Sequence, residues 1–358
     1  MGGLGGQSQP ETLVSVIIPA RNEEACIGHC LASVLVQHGV RYEIIVVNDG
    51  SIDRTREIVS TYTSVKLMDA GPLPPGWTGK CHALHRGYLE SKGDWLLFTD
   101  ADTVHRRSSL RHALREAKKH EVDMLSYSPK QEVHGPWERT LMPLVFAELR
   151  REYPPESVND PKSLVVAANG QYILIRREAY EAVGGHEAIR HSLLEDVELA
   201  RAIKVSGRKL RFRYGGDAVK TRMYRSVGQM WNGWTKNLAL LFTDTLGLAR
   251  NRSVEFLTWA FGFVVFLAGM SAGAWAVMLA GTLISVPVAI NFFYRVRKAH
   301  FGWLNTIISP FGVPVFVILL IRSHLHFRRN QVSWKGRTYA PGDQLPREAS
   351  KKTAATSK

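Results

Sequence analysis

Apolar and polar positions along the first hundred residues follow two alternating periods. Leu13-Val14-Ser15-Val16-Ile17-Ile18 is a β-rich run stopped by Pro19, and helical spacing follows through about Val36. The pattern repeats: Tyr42-Glu43-Ile44-Ile45-Val46-Val47 ends in Asn48-Asp49-Gly50-Ser51, and a helix begins near Asp53. A third strand over about Val65–Met68 precedes a Gly- and Pro-rich loop at 71–79, and a helix from Lys80 to Glu90 returns the chain to Trp95-Leu96-Leu97-Phe98. Strands alternating with helices predict right-handed crossovers and an α/β, Rossmann-like, mostly parallel sheet. Four consecutive apolar residues between polar boundaries suit a strand buried on both faces.

Beyond Asp102 the alternation weakens. A helix near 107–119, a strand at Met124–Tyr127 and a helix near 139–151 lead to a Pro-rich break at 154–161. Next come Ala167-Ala168-Asn169-Gly170-Gln171-Tyr172 with Ile173-Leu174-Ile175 as a strand behind it, a short helix closed by Gly184-Gly185-His186, and a helix opened by Leu194-Glu195-Asp196-Val197-Glu198-Leu199.

The C-terminal third has a different pattern. Residues 256–294 are 39 positions without Asp, Glu, Lys or Arg, and 301–321 are 21 more. About 20 apolar residues cross a bilayer, so the first run suits a helical hairpin turning near Ser271-Ala272-Gly273. The second, interrupted by Pro310 and Pro314, either crosses or enters and returns. The expected organisation is a flexible tail at 1–11, an α/β catalytic domain at 12–223, an amphipathic segment at 224–253, two or three C-terminal transmembrane helices at 254–322 and a basic tail at 323–358. In the amphipathic segment Trp231, Trp234 and Leu238 are spaced by three and four, which suits either a membrane surface or another protein face.

Charge changes the picture mainly through its placement. The net charge is +14, and cations gather beside the apolar runs, at Arg250 and Arg252, at Arg295, Arg297 and Lys298, and at Arg322, Arg328, Arg329, Lys335 and Arg337. That arrangement reads as juxtamembrane charge on the cytoplasmic side, giving a multi-pass inner (cytoplasmic) membrane protein with its catalytic domain in the cytoplasm. No zinc-finger spacing or aromatic-basic interleaving points to nucleic acid. Three cysteines are too few for a disulfide framework, and Cys26 and Cys30 are expected to pack on a helix in a reducing cytoplasm.

The candidate chemistry sits where buried strands stop. Asp100 and Asp102 follow Phe98-Thr99 at the carboxyl end of a strand, the edge where open α/β sheets bind ligands, and two carboxylates there can hold a divalent cation against a diphosphate. Asp49 ends another buried strand and would either accept hydrogen bonds from a base or ribose or cap the next helix. Lys80, after Gly76-Trp77-Thr78-Gly79, places a cation at a helix N-terminus where a phosphate would also meet free N–H groups. Glu195 and Asp196 open a helix whose dipole favours them, and one of the two is a candidate general base. Neither a P-loop nor a dinucleotide fingerprint is present.

Pro19-Ala20-Arg21-Asn22-Glu23-Glu24, Asn48-Asp49-Gly50-Ser51, Gly79-Lys80, Asp100-Ala101-Asp102 and Glu195-Asp196 stand in the order and rough spacing of the family 2 glycosyltransferases with a GT-A fold, which the chain resembles over about residues 12–240. The loop Pro72-Leu73-Pro74-Pro75-Gly76-Trp77-Thr78-Gly79-Lys80 and Trp334-Lys335-Gly336-Arg337 resemble the membrane-bound branch associated with hopanoid and carotenoid pathways. The resemblance implies that Pro19, Arg21, Glu23 and Asp49 hold the base and ribose of a nucleotide-diphosphate sugar. Lys80 and Asp100 would lie near ribose and diphosphate, Asp102 would bind Mg²⁺ or Mn²⁺, and Asp196 would be the catalytic base of an inverting transfer to a lipid or isoprenoid acceptor. One departure bears on mechanism: Gln229-Met230-Trp231-Asn232-Gly233-Trp234 has no Arg before either Trp, unlike the Gln-x-x-Arg-Trp of processive members, so a non-processive enzyme is expected. The alternatives are a processive synthase, a sugar nucleotidyltransferase, whose Gly-rich signature is missing, and a non-catalytic membrane scaffold.

Overall fold

The computed structural model describes residues 12–328 and the backbone of 332–334 and 337–339. The expected tail at 1–11 and, within the basic tail, 329–331, 335–336 and 340–358 lie outside the described residues, as do Lys335 and Gly336 of the tail motif. Two compact units emerge, one of Met1–Lys130 with Pro155–Arg222 and one of Gln131–Pro154 with Met223–Lys358.

In the first unit the strands are β1 (Leu13–Ala20), β2 (Arg41–Asn48), β3 (Lys66–Asp69), β4 (Trp95–Phe98), β5 (Thr103–His105), β6 (Met124–Ser128), β7 (Ile173–Arg176), β8 (Leu210–Tyr214) and β9 (Val219–Thr221). Seven of them form one sheet in the order β3-β2-β1-β4-β7-β6-β8. The first four are parallel, as the alternating pattern predicts. One face carries Val16, Ile18, Ile44, Val46 and Leu97 against Ile27, Leu31 and Val34, which share a side of the helix Ile27–Leu35 through their spacing of four and three. The opposite face carries Ile45 and Val47 against Ala83 of the helix Gly79–Leu89. Burial on both faces explains why these strands read as continuous apolar runs.

The sheet becomes mixed at β7. That strand runs antiparallel to both neighbours, pairing Phe98 with Ile173 on one side and Ser126 with Ile173 on the other. The reversal sets which end of the segment reaches the working edge. Residues after a parallel strand lie at the carboxyl edge of the sheet; for β7 it is the residues before the strand, Asn169-Gly170-Gln171, that lie there. The three cysteines are free and buried, with Cys30 on the helix Ile27–Leu35 and Cys26 just before it.

The second unit holds the helices Pro136–Glu152 and Val227–Leu241 and three helices long and apolar enough to cross a membrane, Thr245–Ser271, Trp275–Arg297 and Trp303–Arg328. The first two turn at Ala272-Gly273, where the uncharged run was expected to fold back. Gly262 and Gly281 let them approach closely: a Cβ on Gly281 would strike the backbone of Phe266. Leu257, Phe261 and Val264 on one helix and Leu283, Val286 and Ile290 on the other are exposed, the surface expected of lipid-facing helices. Ser309–Gly312 is a 3-10 turn at Pro310 within the second apolar run. Trp234 and Leu238 of the amphipathic stripe are buried with Phe316 and Leu320, and Trp231 packs against the same cluster half-buried.

Candidate active site

Two loops at the ends of β1 and β2 are stitched together by their own polar atoms. Asp49 N–H donates to Ala20 O at 2.9 Å, Arg21 Nη1 donates to Asp49 O at 2.6 Å, and Arg21 Nη1 lies 3.9 Å from Asp49 Oδ2. Ile52 N–H donates to Asn22 Oδ1 at 2.9 Å and Glu23 N–H to Thr55 Oγ1 at 2.7 Å. Asn22 takes a left-handed φ of 54° to make these bonds, a conformation Asn tolerates better than most residues. At the first turn of the next helix Asp53 Oδ1 accepts from Thr55 N–H at 3.0 Å. Asp49 is 6% exposed and faces the edge with Arg21 beside it.

A second group forms around Lys80. Thr78 caps the helix Gly79–Leu89, its Oγ1 accepting from Cys81 N–H, which fixes the direction in which Lys80 leaves the first turn. Lys80 Nζ lies 2.8 Å from Asp100 Oδ1 and 2.8 Å from Glu195 Oε1. Burial works against the ammonium charge, yet Asp100, Glu195 and Asp196 together raise its pKa well above the ordinary lysine value. One cation thus joins the end of β4 to the start of the helix Glu195–Val205.

Asp196 accepts from Gly170 N–H through Oδ2 at 2.9 Å and from Val197 N–H through Oδ1 at 2.9 Å. Burial, then the neighbouring Glu195, push its pKa up to about 6, against the opposing pull of Lys80 and the two N–H donors. A carboxylate in that range can accept a proton near neutral pH and release it again. A Cβ on Gly170 would stand 3.0 Å from Lys80 Nζ and 3.2 Å from Glu195 Oε1, a tight fit in which both groups would have to give by a few tenths of an ångström.

Asp102 is held differently. Gln171 Nε2 donates toward both its carboxylate oxygens, at 3.3 and 3.2 Å, and contacts Thr221 Oγ1 at 3.2 Å; that hydroxyl donates to Asp102 O at 3.2 Å. Beneath the turn, Thr99 Oγ1 donates to Gln171 O at 2.7 Å and Thr103 Oγ1 to Asp100 O at 2.8 Å, with both hydroxyls 3.1 Å from His105 Nε2. Burial, then Asp100 and Glu23, push the Asp102 carboxyl up to about 7. Among the described residues no group of three or more His, Cys, Asp or Glu side chains is arranged to hold a metal ion by itself. Asp100 and Asp102 nevertheless fit Mg²⁺ or Mn²⁺. They are hard oxygen donors in a site crowded with negative charge, and such ions commonly use one or two carboxylates and take further oxygens from substrate phosphates.

Every site residue expected from the sequence therefore lies at or near one edge of the sheet, in two groups: Pro19, Arg21, Glu23 and Asp49 around the ends of β1 and β2, and Lys80, Asp100, Asp102 and Asp196 around the end of β4. Sequence reasoning did not single out Gly170, Gln171 and Thr221, nor pair Glu195 with Lys80. The polar triplet Asn169-Gly170-Gln171 directly before an apolar strand was the available signal, and it mirrors the polar residues after β4.

The mixed sheet is typical of the GT-A fold, and the family model described as "Glycosyl transferase family 2" matches residues 15–184. Those residues form a family 2 glycosyltransferase domain. It is 28% identical over 340 residues to the 4,4'-diaponeurosporenoate glycosyltransferase of Staphylococcus aureus strain MRSA252, covering 91% of this chain and 88% of the relative. Similar solved structures include S. aureus TarS in complex with UDP, at 16% identity, TM-score 0.42 and coverage of 90% and 93%. They also include the Pyrobaculum calidifontis mannosyltransferase PcManGT, at 17% identity, TM-score 0.43 and coverage of 87% and 86%.

Proposed function

We propose that this glycosyltransferase is a metal-dependent, inverting, non-processive enzyme that moves a sugar from a nucleotide-diphosphate donor to a lipid or isoprenoid acceptor at a membrane. The observation that carries the reading is the placement of Asp196: its two oxygens are fixed by the N–H groups of Gly170 and Val197, and Lys80, paired with Asp100, lies beside it. A base so held can take a proton from an acceptor hydroxyl while the oxygen attacks the anomeric carbon. The C1–O bond to the diphosphate breaks as the new C–O bond forms, and single displacement inverts that carbon.

The chain's own residues divide the remaining work. Arg21 and Asp49 would orient the base and ribose, with Pro19 and Glu23 shaping that side. Lys80 would set its ammonium against the diphosphate. Asp102, steadied by Gln171, would hold Mg²⁺ or Mn²⁺ with Asp100 alongside, and such an ion when bound offsets charge on the departing nucleoside diphosphate. The carotenoid-type acceptor in the names of the S. aureus relatives supports an apolar acceptor, as do three helices suited to a bilayer. Clustered cations beside those helices support a cytoplasmic catalytic unit at the inner membrane.

The test is sugar transfer by the full-length protein in native lipid across a panel of nucleotide sugars, with Mn²⁺, with Mg²⁺ and with chelator, and with the product's anomeric configuration read by NMR. The expected result is metal-dependent transfer of one sugar per acceptor with inverted configuration. Retained configuration, or full activity in chelator, would overturn the mechanism.

A further inference from the structure

Within the second unit, charge marks the base of the apolar hairpin. Glu255 of the helix Thr245–Ser271 pairs with Arg252 and, at 2.8 Å, with Arg295 Nη2 near the end of the helix Trp275–Arg297. Glu148 of the helix Pro136–Glu152 joins them, its Oε1 3.6 Å from Arg252 Nε and 3.1 Å from Arg295 Nε. From Glu255 to the turn at Ala272-Gly273 the first helix rises about 25 Å, close to the ~30 Å hydrocarbon thickness of a bilayer. With the hairpin spanning that thickness, the ion cluster lies at one membrane face.

The second apolar run, the helix Trp303–Arg328, starts and finishes at that same face. Before it, Arg297 Nη1 donates to Phe301 O at 3.2 Å. Toward its end Ser323 Oγ accepts from Ala239 N–H at 2.8 Å, and His324 Nδ1 lies 3.2 Å from Oγ1 of Thr245, the first residue of the hairpin. In between the run advances little. Pro310 and Val313 line one gap with Phe256, Trp259, Val288 and Phe292. Trp259 is one turn past Glu255 and Val288 two turns past Arg295, roughly 6 and 10 Å, whereas a crossing needs ~30 Å. A Cβ on Gly312 would stand 2.5 Å from Thr140 O, so the middle of the run presses on the helix Pro136–Glu152. That helix carries Glu138, Arg139, Arg150 and Arg151, charges too costly for hydrocarbon. The 3-10 turn Ser309–Gly312 breaks the run there, with Ser309, Pro310 and Gly312 buried, and broken helices are tolerated at membrane depth only where protein covers them. Around the turn Trp303, Ile307 and Phe311, spaced by four, are exposed.

We infer that the second apolar run does not cross the membrane: it dips into the leaflet at the hairpin's charged base, rests Trp303, Ile307 and Phe311 among the acyl chains near the headgroups, and returns to the face it left. Arg322 and Arg328 then fall on the same side as Arg250, Arg295 and Arg297, as cytoplasmic cations should. The inference rests on the hairpin spanning a bilayer and not on the transfer reaction. Full-length protein with Ser60→Cys, Ser271→Cys or Ser357→Cys is labelled by a membrane-impermeant maleimide in right-side-out and in inverted vesicles. Wild type supplies the background, its three cysteines being buried. Ser60→Cys in the first unit and Ser357→Cys near the C-terminus should label about tenfold better in one orientation, and Ser271→Cys at the hairpin turn about tenfold better in the other. Ser357→Cys labelled in the same orientation as Ser271→Cys would overturn the inference. Depth is read by bimane attached through Phe311→Cys or Val264→Cys and quenched by nitroxide lipids. Phe311→Cys should be quenched best by nitroxide near the headgroup and Val264→Cys by nitroxide near the chain end. Equal depth for the two sites would also overturn it.

Discussion

The two halves of the catalytic sheet deliver residues to the same edge by opposite routes. On the parallel side, β2 and β4 run toward the edge and release Asp49 and Asp100 just beyond their carboxyl ends. On the other side β7 runs away from it, so its contribution is Asn169-Gly170-Gln171, placed before the strand. The parallel side offers side chains that a donor would touch, whereas the antiparallel side mostly steadies other residues: Gly170 N–H holds Asp196 and Gln171 Nε2 holds Asp102. Asp49 and Asp100, proposed to face the donor, thus follow parallel strands, whereas Gly170 and Gln171, which hold other carboxylates, precede an antiparallel one.

Lys80→Met attacks the link between the sides and should have the largest effect. It leaves Asp100 and Glu195 facing each other without their shared cation, so transfer should fall below detection. Stability, measured as the shift in denaturation midpoint of the purified protein, should drop by about 3 kcal/mol. Gln171→Leu sharpens the comparison from the antiparallel side. It removes the amide that donates to Asp102, and the Mn²⁺ concentration for half-maximal binding, followed by electron paramagnetic resonance with nucleoside diphosphate present, should rise roughly 10- to 100-fold. If Gln171→Leu binds Mn²⁺ as the wild type does, the steadying role assigned to β7 is wrong.

Gly170→Ala is milder. Its Cβ would press on Lys80 Nζ at 3.0 Å, and a displacement of a few tenths of an ångström should lower kcat about tenfold with donor KM little changed. The smallest intervention is pH. A general base works deprotonated, and the Asp196 carboxyl is raised to about 6, so kcat should be level above about pH 7 and fall as pH drops through 6. An acid limb near pH 4 would mean that the working carboxylate sits in ordinary solvated surroundings.

These differences also explain what the sequence made legible. Asp49, Asp100 and Asp102 could be read because a parallel strand buried on both faces is a continuous apolar run whose end is abrupt, and that end is the working edge. Gln171 could not, because strand direction leaves no trace in composition: Ile173-Leu174-Ile175 reads the same run either way, and only the pairing of Ile173 with Phe98 shows which end is functional. The helical hairpin was legible down to its turn, since charge-free length is a local property. The meeting of Glu148 with Arg252 and Arg295 was not, since partners so far apart in the chain share no periodicity. Glu195 was visible as a first-turn acid, but its bond to Lys80 depends on the fold.

Separating donor binding from proton removal at Asp196 tests the proposed mechanism most directly. The measurement is donor affinity by calorimetry alongside the transfer rate for Asp196→Asn in native lipid. The amide keeps an oxygen to accept from Gly170 N–H while losing the capacity to act as a base, so donor affinity should stay within about threefold and transfer should fall by roughly 10²–10⁴. Transfer within tenfold of the wild type, at unchanged donor affinity, would contradict the assignment of Asp196 as the base.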